Sequence, residues 1–217
     1  MNQQPPQQLA VPWRNFIWDL GGTLLDNYEN SATAFVQALQ EYGVPSDHDG
    51  VYAALRVSTD HAIELFDPEM PGFLERYRQL EAEYLAEPIL FAGVPEVLAA
   101  VVAAGGQNFL VSHRDNQVLD ILAQAGIKDY FTEVVTKDSG FPRKPDPTAF
   151  NYLIAKYHLD PALTVTVGDR PIDIEAGVAA GISTIYFDPP RTLDIATRSI
   201  DALPDLLGGG SDAASRR

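Results

Sequence analysis

The sequence predicts an α/β fold: a doubly wound, parallel, five-stranded sheet with an inserted helical cap. Three observations lead there. Five short apolar runs, rich in β-branched or aromatic residues and bounded by turn formers, read as buried strands. Helical segments separate the last four, and that alternation builds a parallel sheet with helices packed on its faces. Residues 27–89 carry helical patterns and no convincing strand, so they read as an insert.

In chain order, "MNQQPPQQLAVPWR" (1–14) is rich in Gln and Pro and reads as a flexible lead-in. The first strand, "NFIWD" (15–19), ends on Asp19 and runs into the glycine turn at Gly21 and Gly22. The insert then offers "NSATAFVQALQEYG", "DGVYAALRVSTDHAIELF" and "GFLERYRQLEAEYLA" as helices. The segment "VPEVLAAVVAAGG" has Pro95 early in its helix and stops on Gly105 and Gly106. "NFLVS" (108–112) is the second strand, and "NQVLDILAQAG" is a helix stopping at Gly126. "EVVT" (133–136) is the third strand. In "DPTAFNYLIAKYH", Asp146 is the expected N-cap and Pro147 the first helical residue. "TVTVGD" (164–169), the helix "PIDIEAGVAAG" ending at Gly181, and "STIYFD" (183–188) complete the alternation. The core is thus expected at 15–26 and 90–217, the cap at 27–89, and a loose tail, "GGGSDAASRR", at 208–217.

Composition narrows the function. There are no cysteines, so disulfides and thiolate metal sites are excluded and a reducing compartment is permitted. The net charge of −15 argues against nucleic acid or an anionic membrane as partner. No stretch is long and apolar enough for a membrane span, and the N-terminus lacks the pattern of a secretory signal, so a cytoplasmic protein is expected. Residues 27–89 hold 12 Asp and Glu against 3 Arg and no Lys, so −9 of the net charge sits there, which disfavours a highly charged polyanionic substrate.

Ligands of doubly wound sheets bind at the carboxyl ends of the strands. Four polar stations fall there: Asp19-Leu20-Gly21-Gly22-Thr23, Ser112-His113-Arg114, Arg143-Lys144-Pro145 and Gly168-Asp169-Arg170-Pro171-Ile172-Asp173. In this order, with a helical insert after the first, they resemble the haloacid dehalogenase superfamily, specifically its phosphoglycolate-phosphatase-like members with a small helical cap on a Rossmann-like core. The resemblance covers residues 15 to about 190. It implies a phosphatase acting on a small phosphorylated metabolite, as a monomer or homodimer. Asp19 would attack phosphorus and form an aspartyl-phosphate. The backbone at Leu20, Gly21 and Gly22, with Ser112, His113 and Lys144, would hold the phosphoryl group. Mg²⁺ would bind Asp19, the Gly21 carbonyl and Asp169, with Asp173, Arg114 and Arg170 standing behind them. Arg114, Arg143, Lys144 and Arg170 concentrate positive charge at these stations, as suits an anion.

One position departs from the family's pattern. The residue two beyond the nucleophile is usually an Asp that protonates the leaving oxygen and later activates water; here it is Gly21. General acid–base help is worth roughly 10²–10⁴ in rate. Three readings follow: a substrate with a good leaving group such as an acyl or enol phosphate, replacement by another residue with His113 foremost, or a scaffold that binds a phosphorylated ligand with little or no turnover. The phosphonatase route through a cap lysine has no nucleophile, because 27–89 contains no Lys. Metal-free dehalogenation is disfavoured by the retained Asp169 and Asp173.

Overall fold

The computed structural model describes residues 8–57, 59–66, 70–84, 87–187 and 193–208. The chain divides into two compact units, Leu25–Ile89 and the remainder.

The larger unit opens with β1 (Gln8–Leu9) and β2 (Asn15–Trp18). Asn15–Trp18 is buried on both faces, as expected of a central parallel strand. The smaller unit follows, with α1 (Asn27–Glu41), α2 (His48–Val57), α3 (Thr59–Phe66) and α4 (Phe73–Tyr84). The larger unit resumes with α5 (Val94–Ala103), β3 (Gln107–Val111), α6 (Val118–Gln124), β4 (Phe131–Val135), α7 (Thr148–Lys156), β5 (Thr164–Gly168), α8 (Pro171–Ala179), β6 (Ser183–Phe187), β7 (Arg198–Ile200) and β8 (Leu207–Gly208).

The main sheet has six strands in the order β4-β3-β2-β5-β6-β7, every neighbouring pair parallel. It therefore exceeds the expected five by the edge strand β7. Its sequence, Arg198-Ser199-Ile200, buries only Ile200, so it carries no apolar run to read. Strand β2 lies between β3 and β5, which is where the winding direction reverses and where the carboxyl ends open a crevice. Alternation along β2 serves both faces. Ile17 joins Phe109, Val111, Phe150 and Leu153 on one side. Phe16 and Trp18 stack with their rings 5.3 Å apart. The Trp18 indole donates to Asn108 Oδ1 at 2.9 Å, and the Asn108 amide donates to the Leu98 carbonyl at 3.1 Å, so this buried polar pair is satisfied.

Two further differences from the sequence reading have local causes. Residues 8–14, expected within a flexible lead-in, are held: Gln8–Leu9 pairs antiparallel with Leu207–Gly208, and Trp13 is buried. The apolar Leu9 and Trp13 break the polar composition of that segment and supply the burial. Residues 1–7 and 209–217, the rest of the expected tails, lie outside the described residues. Helix α7 begins at Thr148, one residue later than expected, with Asp146 accepting from the Thr148 amide at 2.9 Å.

In the smaller unit, Asp26 caps α1 by accepting from the Glu29 amide at 3.3 Å. Phe35 is fully buried and meets Phe66, Phe73 and Tyr77 edge-on. Glu81 accepts from the hydroxyls of Ser31 and Tyr77, both at 2.6 Å, which ties α1 to α4.

Candidate active site

The site is built on the carboxyl ends of β2, β3 and β5 and on the loop before α7. Asp19 continues β2 by one residue, its amide donating to the Val167 carbonyl at 2.9 Å. The chain then turns sharply, with the Leu24 amide donating back to the Leu20 carbonyl at 2.9 Å. Gly22 takes φ 84°, a left-handed conformation that a side chain would strain, whereas Gly21 lies outside that region. Thr23 is fully buried and its hydroxyl donates to Asp169 Oδ1 at 3.3 Å.

Lys144 is the centre of the arrangement. Its ammonium donates to Asp19 Oδ1 and to the Val111 carbonyl at 3.0 Å, and lies 2.6 Å from Asp173 Oδ1. An ammonium has three N–H groups, so all three are engaged by the protein. Burial raises the Asp19 carboxyl to about 6, against the pull of Lys144. Burial would lower Lys144, but the attraction of Asp19 and Asp173 outweighs it and holds its pKa above the ordinary range, so the proton stays on the amine. Asp173 sits in the first turn of α8, where its Oδ2 also accepts from the Arg170 amide at 3.1 Å. It can approach the strand end because residue 168 is glycine: a Cβ there would stand 2.3 Å from the Asp173 Cβ.

Asp19, Asp169 and Asp173 each offer a carboxylate oxygen, all within 4.8 Å of one another. Three carboxylates against one buried ammonium leave an excess of negative charge on hard oxygen donors. That chemistry fits a divalent cation such as Mg²⁺.

At the second station, Ser112 is buried and its Oγ accepts from the Arg114 amide at 3.2 Å. The Arg114 carbonyl accepts from the Lys137 amide at 2.8 Å. His113 Nε2 stands 2.8 Å from the Lys144 amide nitrogen, and Nδ1 stands 3.3 Å from Arg143 Nε. Burial, then Lys144 and Arg143, lower the His113 pKa to about 4. The ring is neutral at physiological pH, which weighs against the general-acid role expected for it. Arg143 and Arg170 are exposed.

The structure therefore gathers Asp19, Thr23, Ser112, His113, Lys144, Asp169 and Asp173 at adjoining strand ends of one unit. What sequence reasoning missed is the Val111 carbonyl, a backbone group with no signature of its own, and the Thr23–Asp169 bond, which joins the first and fourth stations.

A parallel α/β core with a lysine-clamped aspartate at its switch point defines a class of hydrolase. The chain belongs to the haloacid dehalogenase-like hydrolases, whose family model matches residues 16–187. It is similar to the phosphoglycolate phosphatase of Vibrio vulnificus strain YJ016, with 32% identity over 182 residues covering 77% of this chain and 80% of that protein. A hydrolase from Streptococcus pneumoniae TIGR4 shares its fold with a TM-score of 0.78 and 54% identity, covering 82% of this chain and 94% of the other. A predicted phosphoglycolate phosphatase from Haemophilus somnus 129pt gives a TM-score of 0.62 at 25% identity, covering 82% and 86%. By this kinship the protein is a phosphoric monoester hydrolase. No helix among the described residues is long and apolar enough to cross a membrane.

Proposed function

We propose that the protein is a Mg²⁺-dependent phosphatase that works through an aspartyl-phosphate on Asp19 and favours small phosphorylated metabolites with a good leaving group. The observation that carries this is the Lys144 ammonium held between Asp19 and Asp173, beside Asp169. That clamp keeps the Asp19 carboxylate ionised and oriented for attack on phosphorus. The backbone of Leu20, Gly21 and Gly22, with the Ser112 hydroxyl, would cradle the phosphoryl oxygens. Because the three N–H groups of Lys144 are engaged, the lysine aids the phosphoryl group through its charge. Asp19, the Gly21 carbonyl and Asp169 would hold Mg²⁺, with Asp173 behind them. When bound, the ion would neutralise charge building on the phosphoryl oxygens. The cap, 27–89, would set the choice of substrate.

Gly21 decides the substrate class. The relatives named phosphoglycolate phosphatase support a small phosphorylated acid, but glycolate leaves as an alkoxide that needs a proton. Gly21 offers none, and His113 is neutral with a nitrogen lone pair turned to the backbone. Acyl, enol or aryl phosphates need little protonation. The test is a panel of phosphoglycolate, simple alkyl esters, aryl phosphates and acyl phosphates, assayed with Mg²⁺. The reading expects rates to rise steeply as leaving-group pKa falls. Equal rates for alkyl and acyl phosphates would sink it, and no turnover of any of them would favour a phosphate-binding protein on this scaffold.

A further inference from the structure

We infer that His113 is a positioning residue: its imidazole Nε2 holds the backbone N–H of Lys144 and so sets the ammonium between Asp19 and Asp173. Two donors converge on this ring, the Lys144 amide at 2.8 Å and Arg143 Nε at 3.3 Å. A neutral imidazole has one acceptor nitrogen and one N–H. The shorter contact takes the lone pair, which places the ring proton on Nδ1. Arg143 is exposed and can turn to water, whereas Lys144 is 7% exposed and its amide must be satisfied within the protein.

The lysine is then gripped at both ends by one segment. Its Nζ donates to the Val111 carbonyl at 3.0 Å, and its amide donates to the ring of His113, two residues further along the same chain. The loop that carries Lys144 lies between the left-handed Gly140 (φ 80°) and the start of α7 at Thr148, so no strand or helix fixes that amide. The His113 bond supplies what regular structure does not. The surroundings of the ring keep its lone pair available: burial, then Lys144, Arg143 and Arg170, disfavour protonation, while Asp173 pulls the other way. An acid would need the ring charged; a clamp needs it neutral.

The test uses three variants, each checked for folding by circular dichroism. In His113→Gln the amide oxygen reaches the place of Nε2 and can accept the same bond. In His113→Leu there is no acceptor, and in His113→Asn the acceptor stops near the place of Nδ1. Leaving the Lys144 amide unsatisfied is expected to lower kcat on an aryl phosphate by about 10- to 100-fold in His113→Leu, with KM little changed. His113→Gln should stay within about threefold of wild type, since one neutral hydrogen bond replaces another. Should His113→Leu fail to fold, His113→Asn takes its place as the loss variant. His113→Gln as slow as the loss variant, both near wild type, or a loss confined to KM would each overturn the inference. The assay rests on the phosphatase reading, so a second measurement stands apart from it. Nitrogen-15 spectra of the wild-type imidazole should show an Nδ1–H tautomer that stays neutral from about pH 5 to 8. A ring protonated on Nε2, or one titrating between about pH 6 and 7, would overturn the clamp even in a protein that hydrolyses nothing.

Discussion

Gly168→Ala tests the coupling between packing and chemistry at the fourth station. A Cβ on residue 168 would lie 2.3 Å from the Asp173 Cβ and 2.6 Å from its Cγ and Oδ2. The obstruction cannot swing aside cheaply. Asp173 is rooted in the first turn of α8, its Oδ2 accepts from the Arg170 amide at 3.1 Å, and its Oδ1 lies 2.6 Å from Lys144 Nζ. Relief requires moving that turn or breaking those bonds. Overpacking of this kind costs about 1–3 kcal/mol. For a chain of this length that lowers Tm by roughly 2–12 °C. Displacing Asp173 also removes one anchor of the ammonium that orients Asp19, and a misplacement near 1 Å can cost about 10²-fold in rate. Gly126→Ala is the control: φ is 71° and nothing lies within 4 Å, so it pays only backbone strain of about 1–2 kcal/mol and should leave kcat unchanged. Scanning calorimetry and kcat at saturating substrate and Mg²⁺ give both readouts. Gly168→Ala with wild-type Tm and kcat, or with lowered Tm and intact kcat, would refute the reasoning.

Asp19→Asn should abolish turnover and prevent capture of beryllofluoride, which mimics the aspartyl-phosphate; wild-type-like turnover by that variant would remove Asp19 as nucleophile. Mg²⁺ should raise Tm by binding the folded state, by about 2.7 kcal/mol of stability at a hundred times its Kd, and the shift should shrink sharply in Asp169→Asn. Activity unaffected by EDTA would count against the metal. Gly21→Asp should speed alkyl esters by up to about 10²–10⁴-fold while changing acyl phosphates little, because it restores a proton donor. The backbone at Gly21 is outside the left-handed region, so a side chain there needs no strained φ. Alkyl esters no faster in that variant than in wild type would mean that the leaving oxygen is protonated from elsewhere.

Much of the architecture was legible because local chemistry and global fold agree. The runs at Phe16-Ile17-Trp18 and at Val165-Thr166-Val167 are apolar or β-branched throughout because both faces of a central parallel strand are covered. The stations at Asp19, Ser112 and Asp169 were legible because a doubly wound sheet puts such polar ends at one edge. Strand β7 was not legible: an edge strand with one buried residue needs no apolar pattern, and its place depends on its neighbour. The Thr184 amide donates to the Thr197 hydroxyl at 3.0 Å, and the Thr197 amide returns a bond to the Thr184 hydroxyl at 2.9 Å. These pairings exist only once the chain has closed on itself.

Residue types at short spacing were therefore decided by the sequence alone: which carboxylates and cations the chain can bring to phosphate, and that Gly21 brings no proton. Whether those groups act as acids, anchors or clamps was decided by the tertiary structure. His113 shows why. From its place after Ser112 it could have been a proton donor, since an isolated imidazole titrates near neutrality. Burial, the cations at 143, 144 and 170, and the Lys144 amide make it a neutral acceptor instead. A pKa and a hydrogen-bond partner depend on groups up to 60 positions away along the chain (Asp173 from His113), brought near only by folding.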